Sequence, residues 1–201
     1  FFIVLIGLPA AGKSSFAKAL QTADFFRMHH ISVEIIDTDA IRSEIQGSQF
    51  QPDKELLVKQ AKFDRIRTNL AKNHSVIIDD MHYYVSMRHD LFELHREFPS
   101  HWISIYLNTP LSVCTQWNHQ RVSPLPESVI YAVSDKWDEP GGKYSWDRPT
   151  FIFSPHQGLL DTFKQQFNSY LKFLFEASVE NQPVAISSES ALTSMKMQNK
   201  R

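Results

Sequence analysis

Short apolar runs alternate along this chain with longer stretches in which apolar residues recur every three or four positions. Phe1 to Ile6 is an unbroken apolar run, and Phe16, Ala17, Ala19 and Leu20 follow at helical spacing. This pattern predicts a first strand and then a helix over about 13–28. A second strand is expected over Ser32–Ile36, ending in Asp37-Thr38-Asp39, and a loop over 47–52. From Asp53 onward, Leu56, Phe63, Ile66 and Leu70 mark the apolar face of a helix. Ser75 to Asp80 reads as a buried strand ending in two carboxylates. Next come a helix over Val85–Phe98 stopped by Pro99, and a strand over Trp102–Leu107. A further helix opens at Asn108-Thr109-Pro110 and runs to about Arg121; another covers Glu127–Trp137, and Thr150–Phe153 is the last strand. Leu160, Phe163, Phe167, Tyr170 and Leu174 form the stripe of a helix over about 158–178, which packs on the core or on a partner.

This alternation predicts an α/β fold: a mostly parallel five-stranded sheet with helices on both faces, plus a C-terminal helical appendage. The expected division is a domain over 1–155, the helix over 156–178, and a polar, disordered tail over 179–201.

The turn between the first strand and its helix carries the chemistry. Gly7-Leu8-Pro9-Ala10-Ala11-Gly12-Lys13-Ser14 has the spacing G-x-x-x-x-G-K-S/T of a phosphate-binding P-loop, in the strand–loop–helix context the motif needs. Gly7, Pro9, Ala10, Ala11, Gly12, Lys13, Ser14 and Ser15 are therefore the expected nucleotide-binding residues. Lys13 would reach the β- and γ-phosphates, and Ser14 would ligate Mg²⁺. The acid closing the third apolar run, Asp79, is of the Walker B type and falls at the strand edge where open α/β sheets bind ligands.

Asp39-x-x-Arg42 follows the second strand. A carboxylate there can accept the proton of an attacking hydroxyl or help hold Mg²⁺ through water, and an arginine one turn later can clamp the incoming group. Asp39 is also well placed as a helix N-cap, and the two roles are compatible. Arg121, at the end of its helix, is a candidate lid cation over the γ-phosphate, or else a solvated arginine at a helix C-terminus. Lys59, Lys62, Arg65, Arg67 and Lys72 lie on the polar face of one helix, either as a solvated surface or as a contact for RNA phosphates.

Composition narrows this little. The chain has 201 residues, 42% of them hydrophobic, and a formal charge of −1, so no global basic field points to nucleic acid. One cysteine, Cys114, excludes a disulfide framework and fits a reducing, cytoplasmic compartment. No apolar run approaches a membrane span, and no H-E-x-x-H or similar metal spacing occurs.

Phe1 to about Phe153 resembles the archaeal-type L-seryl-tRNA(Sec) kinase family. The matching segments are the P-loop, Asp39-Ala40-Ile41-Arg42, and Val76 to Tyr84 with Ser86-Met87-Arg88. Tyr106-Leu107 and the distinctive Asp138-Glu139-Pro140-Gly141-Gly142-Lys143-Tyr144-Ser145-Trp146-Asp147 complete them. The resemblance implies a P-loop kinase fold and ATP- and Mg²⁺-dependent phosphorylation of the seryl hydroxyl of Ser-tRNA(Sec), in selenocysteine biosynthesis. It also implies a catalytic set of Lys13, Asp39, Arg42 and Arg121, with Ser14, Asp39 and Asp79 toward the metal. Oligomeric state stays open, a homodimer included.

Three departures stand out: Trp117 occupies the first arginine position of the family's lid R-x-x-x-R, Met81-His82 replaces Thr-Asn, and the C-terminal region is short. A tRNA-binding P-loop regulator of the elongator-associated kind, and a kinase for a free metabolite, are the alternatives.

Overall fold

The computed structural model describes residues 1–47 and 49–180. The elements are β1 (Phe2–Ile6), α1 (Lys13–Gln21), α2 (Asp24–Met28), β2 (Val33–Asp37), α3 (Thr38–Gln46), α4 (Glu55–Ala71) and β3 (Ser75–Asp79). They continue with α5 (Val85–His95), β4 (Trp102–Leu107), α6 (Leu111–His119), α7 (Glu127–Asp135), β5 (Phe151–Phe153) and α8 (Leu160–Glu180).

The sheet runs β2-β3-β1-β4-β5, and all four pairings are parallel. A parallel sheet is covered on both faces, which is why β1 and the Val76–Ile78 centre of β3 are apolar and fully buried. Alternate residues of β1 serve opposite layers. Ile3 and Leu5 pack with Phe16 and Leu20 of α1, Phe25 and Phe26 of α2, and Phe163, Phe167 and Leu171 of α8. Phe2, Val4 and Ile6 pack with Ile41, Val58, Ile66, Leu91 and Leu94 from α3, α4 and α5. The strand order turns back on itself at β1, and the loop after β1 opens on the crevice such a switch point creates.

Several expected boundaries shift, each for a local reason. The helix expected over 13–28 breaks at Thr22-Ala23, where Ala23 is extended (ψ 141°) and Thr22 donates its hydroxyl to the Ala19 carbonyl. Phe25 and Phe26, neighbours on α2 after the break, are both buried in the core. Along α4 the buried line is Val58, Lys62, Ile66 and Leu70, while Leu56 is exposed. The helix turns Lys62 inward because a buried carboxylate awaits it there.

The helix expected to reach Phe98 ends at His95, and Pro110 caps α6 from outside the helix rather than sitting within it. The helix expected to end near Trp137 stops at Asp135. The stripe along α8 packs on α1 and α2, as one of the two expectations had it. The tail expected over 179–201 lies outside the described residues from 181 onward. No described helix is long and apolar enough to cross a membrane.

Candidate active site

The loop after β1 is shaped by close approach. A Cβ at Gly7 would stand 3.1 Å from the Leu107 carbonyl oxygen, and Gly12 takes φ +89°, a left-handed conformation open to glycine. No side chain caps α1, so the N–H groups of its first turn are free to meet an anion. The Gly7 N–H donates to the Met81 carbonyl, which ties the P-loop to the segment after β3. Lys13 is buried, and its Nζ donates to the carbonyls of Gly7 (3.0 Å) and Leu8 (2.7 Å). Burial lowers the Lys13 pKa, against the opposing pull of Asp79 and Asp80.

The expected carboxylates come together at this edge. Burial pushes the Asp79 carboxyl up, while a hydrogen bond with Ser14 and the charge of Lys13 draw it down. Ser14 beside Asp79 suits a hard cation that takes its other oxygens from phosphate and water. No cluster of three or more His, Cys, Asp or Glu side chains placed to hold a metal ion is found among the described residues.

The cap of α3 is Asp37 and not Asp39. Its Oδ1 accepts from the N–H groups of Asp39 (2.9 Å) and Ala40 (3.1 Å). That frees the Asp39 side chain, 85% exposed, which pairs with Arg42. Arg42 also donates Nε to Glu55 Oε1 at 2.9 Å, and Gln46 donates to the same oxygen at 2.6 Å. Asp39, Arg42 and Glu55 thus form one chain of charge. Glu55 escaped the sequence reading because an acid in the first turn of a helix is ordinarily explained by the helix dipole.

Of the cations assigned to the polar face of α4, Lys59 pairs with Asp90, Arg65 with Glu44, and Arg67 with Glu97. Lys62 lies inside, 2.9 Å from Asp80 Oδ2, with both side chains under 10% exposed. The Asp80 Oδ1 accepts from the Met81 N–H at 2.7 Å. His82 is fully buried at φ +49°, with Nδ1 2.7 Å from the Leu5 carbonyl.

The distinctive stretch from Asp138 to Asp147 does not contribute a wall of the site. It braces the segment that does. The Asp138 N–H donates to the Tyr83 carbonyl (2.9 Å), and its carboxylate accepts from the Val85 N–H (3.0 Å). Asp147 meets Arg88 in a buried two-bond pair. Tyr83, its ring 4.2 Å from that of Tyr84, borders the site together with Met87.

On the other side, the Thr109 hydroxyl donates to the Ala11 carbonyl and seats the start of α6 on the P-loop. Cys114, Trp117 and Asn118 follow at the i, i+3, i+4 positions of one face; α6 ends at His119, so Arg121, expected at the end of this helix, lies beyond it. Cys114 is buried, as expected. Asn118 clasps Leu125, its amide donating to the carbonyl (2.8 Å) and accepting from the N–H (2.9 Å). Arg121 is exposed on the loop so closed and borders the site.

All of this surrounds one cavity of about 1430 Å³. Its floor is Gly12 to Ser15 with Asp79. On the β2–β3 side of the sheet the cavity is lined by Asp39, Arg42, Glu55, Phe50, Leu56, Lys59, Lys62, Phe63, Asp80, Tyr83, Met87 and Asp90, and on the β4–β5 side by Trp117, Gln120, Arg121, Phe153, Pro155 and Leu160. The expected residues Lys13, Ser14, Asp39, Arg42, Asp79 and Arg121 all line it; Gly7 and Ala11 shape the loop from behind.

A P-loop at the switch point of this parallel sheet marks a nucleotide-binding protein of the P-loop kinase superfamily. Within it, the chain belongs to the family described as chromatin associated protein KTI12, whose model matches residues 2–200. Among curated relatives, the L-seryl-tRNA(Sec) kinase of Methanococcus maripaludis is 32% identical over 184 residues, 92% of this chain and 68% of that one. Protein kti12 of Schizosaccharomyces pombe is 24% identical over 157 residues, 74% of this chain and 55% of its own. Among solved structures, Chaetomium thermophilum Kti12 in complex with ADP-AlF3 superposes with a TM-score of 0.68 at 18% identity, covering 85% of this chain and 97% of that one. The Mycobacterium tuberculosis APS kinase CysC with AMPPNP and APS gives 0.61 at 17% identity, covering 85% and 96%.

Proposed function

We propose that this chain carries an ATP- and Mg²⁺-dependent kinase activity toward the seryl hydroxyl of an aminoacylated tRNA, with Ser-tRNA(Sec) as acceptor. The observation behind it is the Asp39–Arg42–Glu55 chain, which lines the same cavity as Lys13 and Ser14. The lining around that chain mixes apolar and aromatic residues (Phe50, Leu56, Phe63, Tyr83, Met87) with charged ones (Lys59, Lys62, Asp80, Asp90). A seryl ester on a terminal nucleoside offers matching parts: a base for the rings, an α-ammonium for the carboxylates and a hydroxyl for Asp39. The 32% identity to the M. maripaludis L-seryl-tRNA(Sec) kinase supports the same reading.

In this mechanism the N–H groups from Gly12 to Ser15 and the Lys13 ammonium hold the phosphates. Ser14 would hold Mg²⁺ with Asp79 and Asp39 on the same side, and the ion would supply charge neutralisation at the transferred group. Asp39 accepts the proton of the seryl hydroxyl as the new O–P bond forms and the bond between the β–γ bridging oxygen and the γ-phosphorus breaks. Arg42, fixed by Glu55, orients that carboxylate. Arg121 comes down on the γ-phosphate from the lid.

Trp117, where a lid charge was expected, favours one alternative: a tRNA-binding nucleotide hydrolase of the Kti12 kind. Incubation with γ-labelled ATP, Mg²⁺ and Ser-tRNA(Sec), with Ser-tRNA(Ser) as control, separates the two. Labelled phosphoserine on the first substrate alone supports the kinase. ATP turnover stimulated by tRNA, with no label on the seryl group, supports the hydrolase and ends the kinase proposal.

A further inference from the structure

The chain has four tryptophans, and three have ring partners. Trp102 stacks on Phe2 and meets Phe92 edge-on; Trp137 stacks on Tyr106; Trp146 stacks on Phe92 and Tyr144. Trp117 alone has no ring partner among the described residues. It is half-buried, and it borders the cavity.

Its position is fixed from two sides. Thr109 bonds α6 to the P-loop at Ala11, and buried Cys114 sits one turn below on the same helix face. The ring reaches the P-loop itself: a Cβ at Gly12 would lie 3.4 Å from Trp117 Cζ3. An indole is thus held at the foot of α1, where the phosphates of a nucleotide would end.

The direction of phosphoryl transfer assigns what lies beyond them. Attacking and leaving oxygens stand roughly in line on opposite sides of the transferred phosphorus. With the acceptor on the Asp39 wall, the diphosphate and its nucleoside must extend toward the wall of Trp117, Phe153, Pro155 and Leu160. That wall is apolar apart from Gln120 and Arg121. We infer that Trp117 is the nucleobase platform of this site, an indole on which the base of the bound nucleotide stacks. The lid charge on this wall then falls to Arg121. The inference rests on the nucleotide half of the proposed function and is independent of the acceptor.

Binding of ADP and of inorganic tripolyphosphate tests it, since only ADP carries a base. Replacing the ring by bulk without a π-face, Trp117→Leu, is expected to weaken ADP about tenfold and to leave tripolyphosphate unchanged, while Trp117→Phe retains most of the ADP affinity. In the unmutated protein ADP changes the tryptophan emission and tripolyphosphate does not. That change is lost in Trp117→Phe, although Trp102, Trp137 and Trp146 remain. Unaltered ADP affinity in Trp117→Leu, or an equal loss of both ligands, overturns the assignment; the second result would mean that the ring only props Gly12. An ADP-dependent emission change that persists in Trp117→Phe overturns it independently of any folding defect.

Discussion

Arg88 and Asp147, fifty-nine residues apart, form a pair with almost no access to solvent: Nε to Oδ1 at 2.6 Å and Nη2 to Oδ2 at 2.7 Å. The remaining nitrogen, Nη1, donates to the His82 carbonyl at 2.8 Å, and Asp147 also accepts from the Gly141 N–H at 3.2 Å. The pair therefore locks α5, the turn after Asp138 and the segment carrying Tyr83 into one unit.

Asp147→Ala leaves a buried guanidinium without its counter-ion. A loss of about 3–5 kcal/mol in folding free energy is expected by urea denaturation. The double variant Arg88→Met, Asp147→Leu should recover much of it, because it removes both charges and keeps volume. A loss of less than about 1 kcal/mol in the single variant would show that the pair is not buried in solution.

Burial alone would raise the Asp80 carboxyl; the Lys62 ammonium, His82 and the Met81 N–H outweigh it and hold the group well below the usual carboxylate range. A depressed native pKa contributes stability that is full above the ordinary value and lost as pH falls below it. Lys62→Met should therefore destabilise the protein at neutral pH, with the gap to the unmutated chain narrowing as pH falls below about 4. It should also weaken ADP binding, because Asp80 orients Met81 and the Met81 carbonyl receives the Gly7 N–H. A gap that stays constant with pH would disprove the coupling.

His82 titrates in a separate window. Burial, with Lys62 and Lys13 nearby, lowers its pKa from 6.5 to about 4, against the pull of Asp80 and the Leu5 carbonyl. Between those values the unfolded chain binds a proton and the native chain does not, so stability falls as pH drops from 6.5 toward 4. The full effect is roughly 3 kcal/mol. His82→Asn, which tolerates the positive φ and keeps a donor, should flatten that part of the stability profile. Parallel profiles for the two proteins would contradict a neutral, buried His82.

Asp39→Asn removes the proposed proton acceptor and keeps the size of the side chain. Phosphoryl transfer to seryl-tRNA should fall about 10²–10⁴-fold, while ADP affinity stays close to that of the unmutated chain. The cap of α3 belongs to Asp37, so thermal stability should not change. If transfer survives, Asp39 is a partner of Arg42 and nothing more.

The architecture was legible because parallel strands buried on both faces are written as apolar runs, and the P-loop carries its own glycine pattern. Two kinds of feature were not. A buried ion pair looks like a solvated one in sequence, so Lys62 was grouped with Lys59 and Arg67 although it points inward. Partners distant in sequence left no local mark: nothing near Glu55 announces Arg42. Nor does anything near Asp138 announce that it holds the backbone around Tyr83. That stretch carries the family resemblance in the sequence and serves as a brace in the structure. The cap assignment failed by two residues because Asp37 and Asp39 flank the same helix start, and sequence alone offers no way to choose between them.

The clasp between Asn118 and Leu125 has an entropic consequence. One amide satisfies both the N–H and the carbonyl of Leu125, so the six residues between them begin and end at a fixed span. A loop already closed at its base has little chain entropy left to lose on ordering. Arg121 stands on that short closed loop, so holding it at the rim of the cavity costs less ordering than an open loop of the same length would.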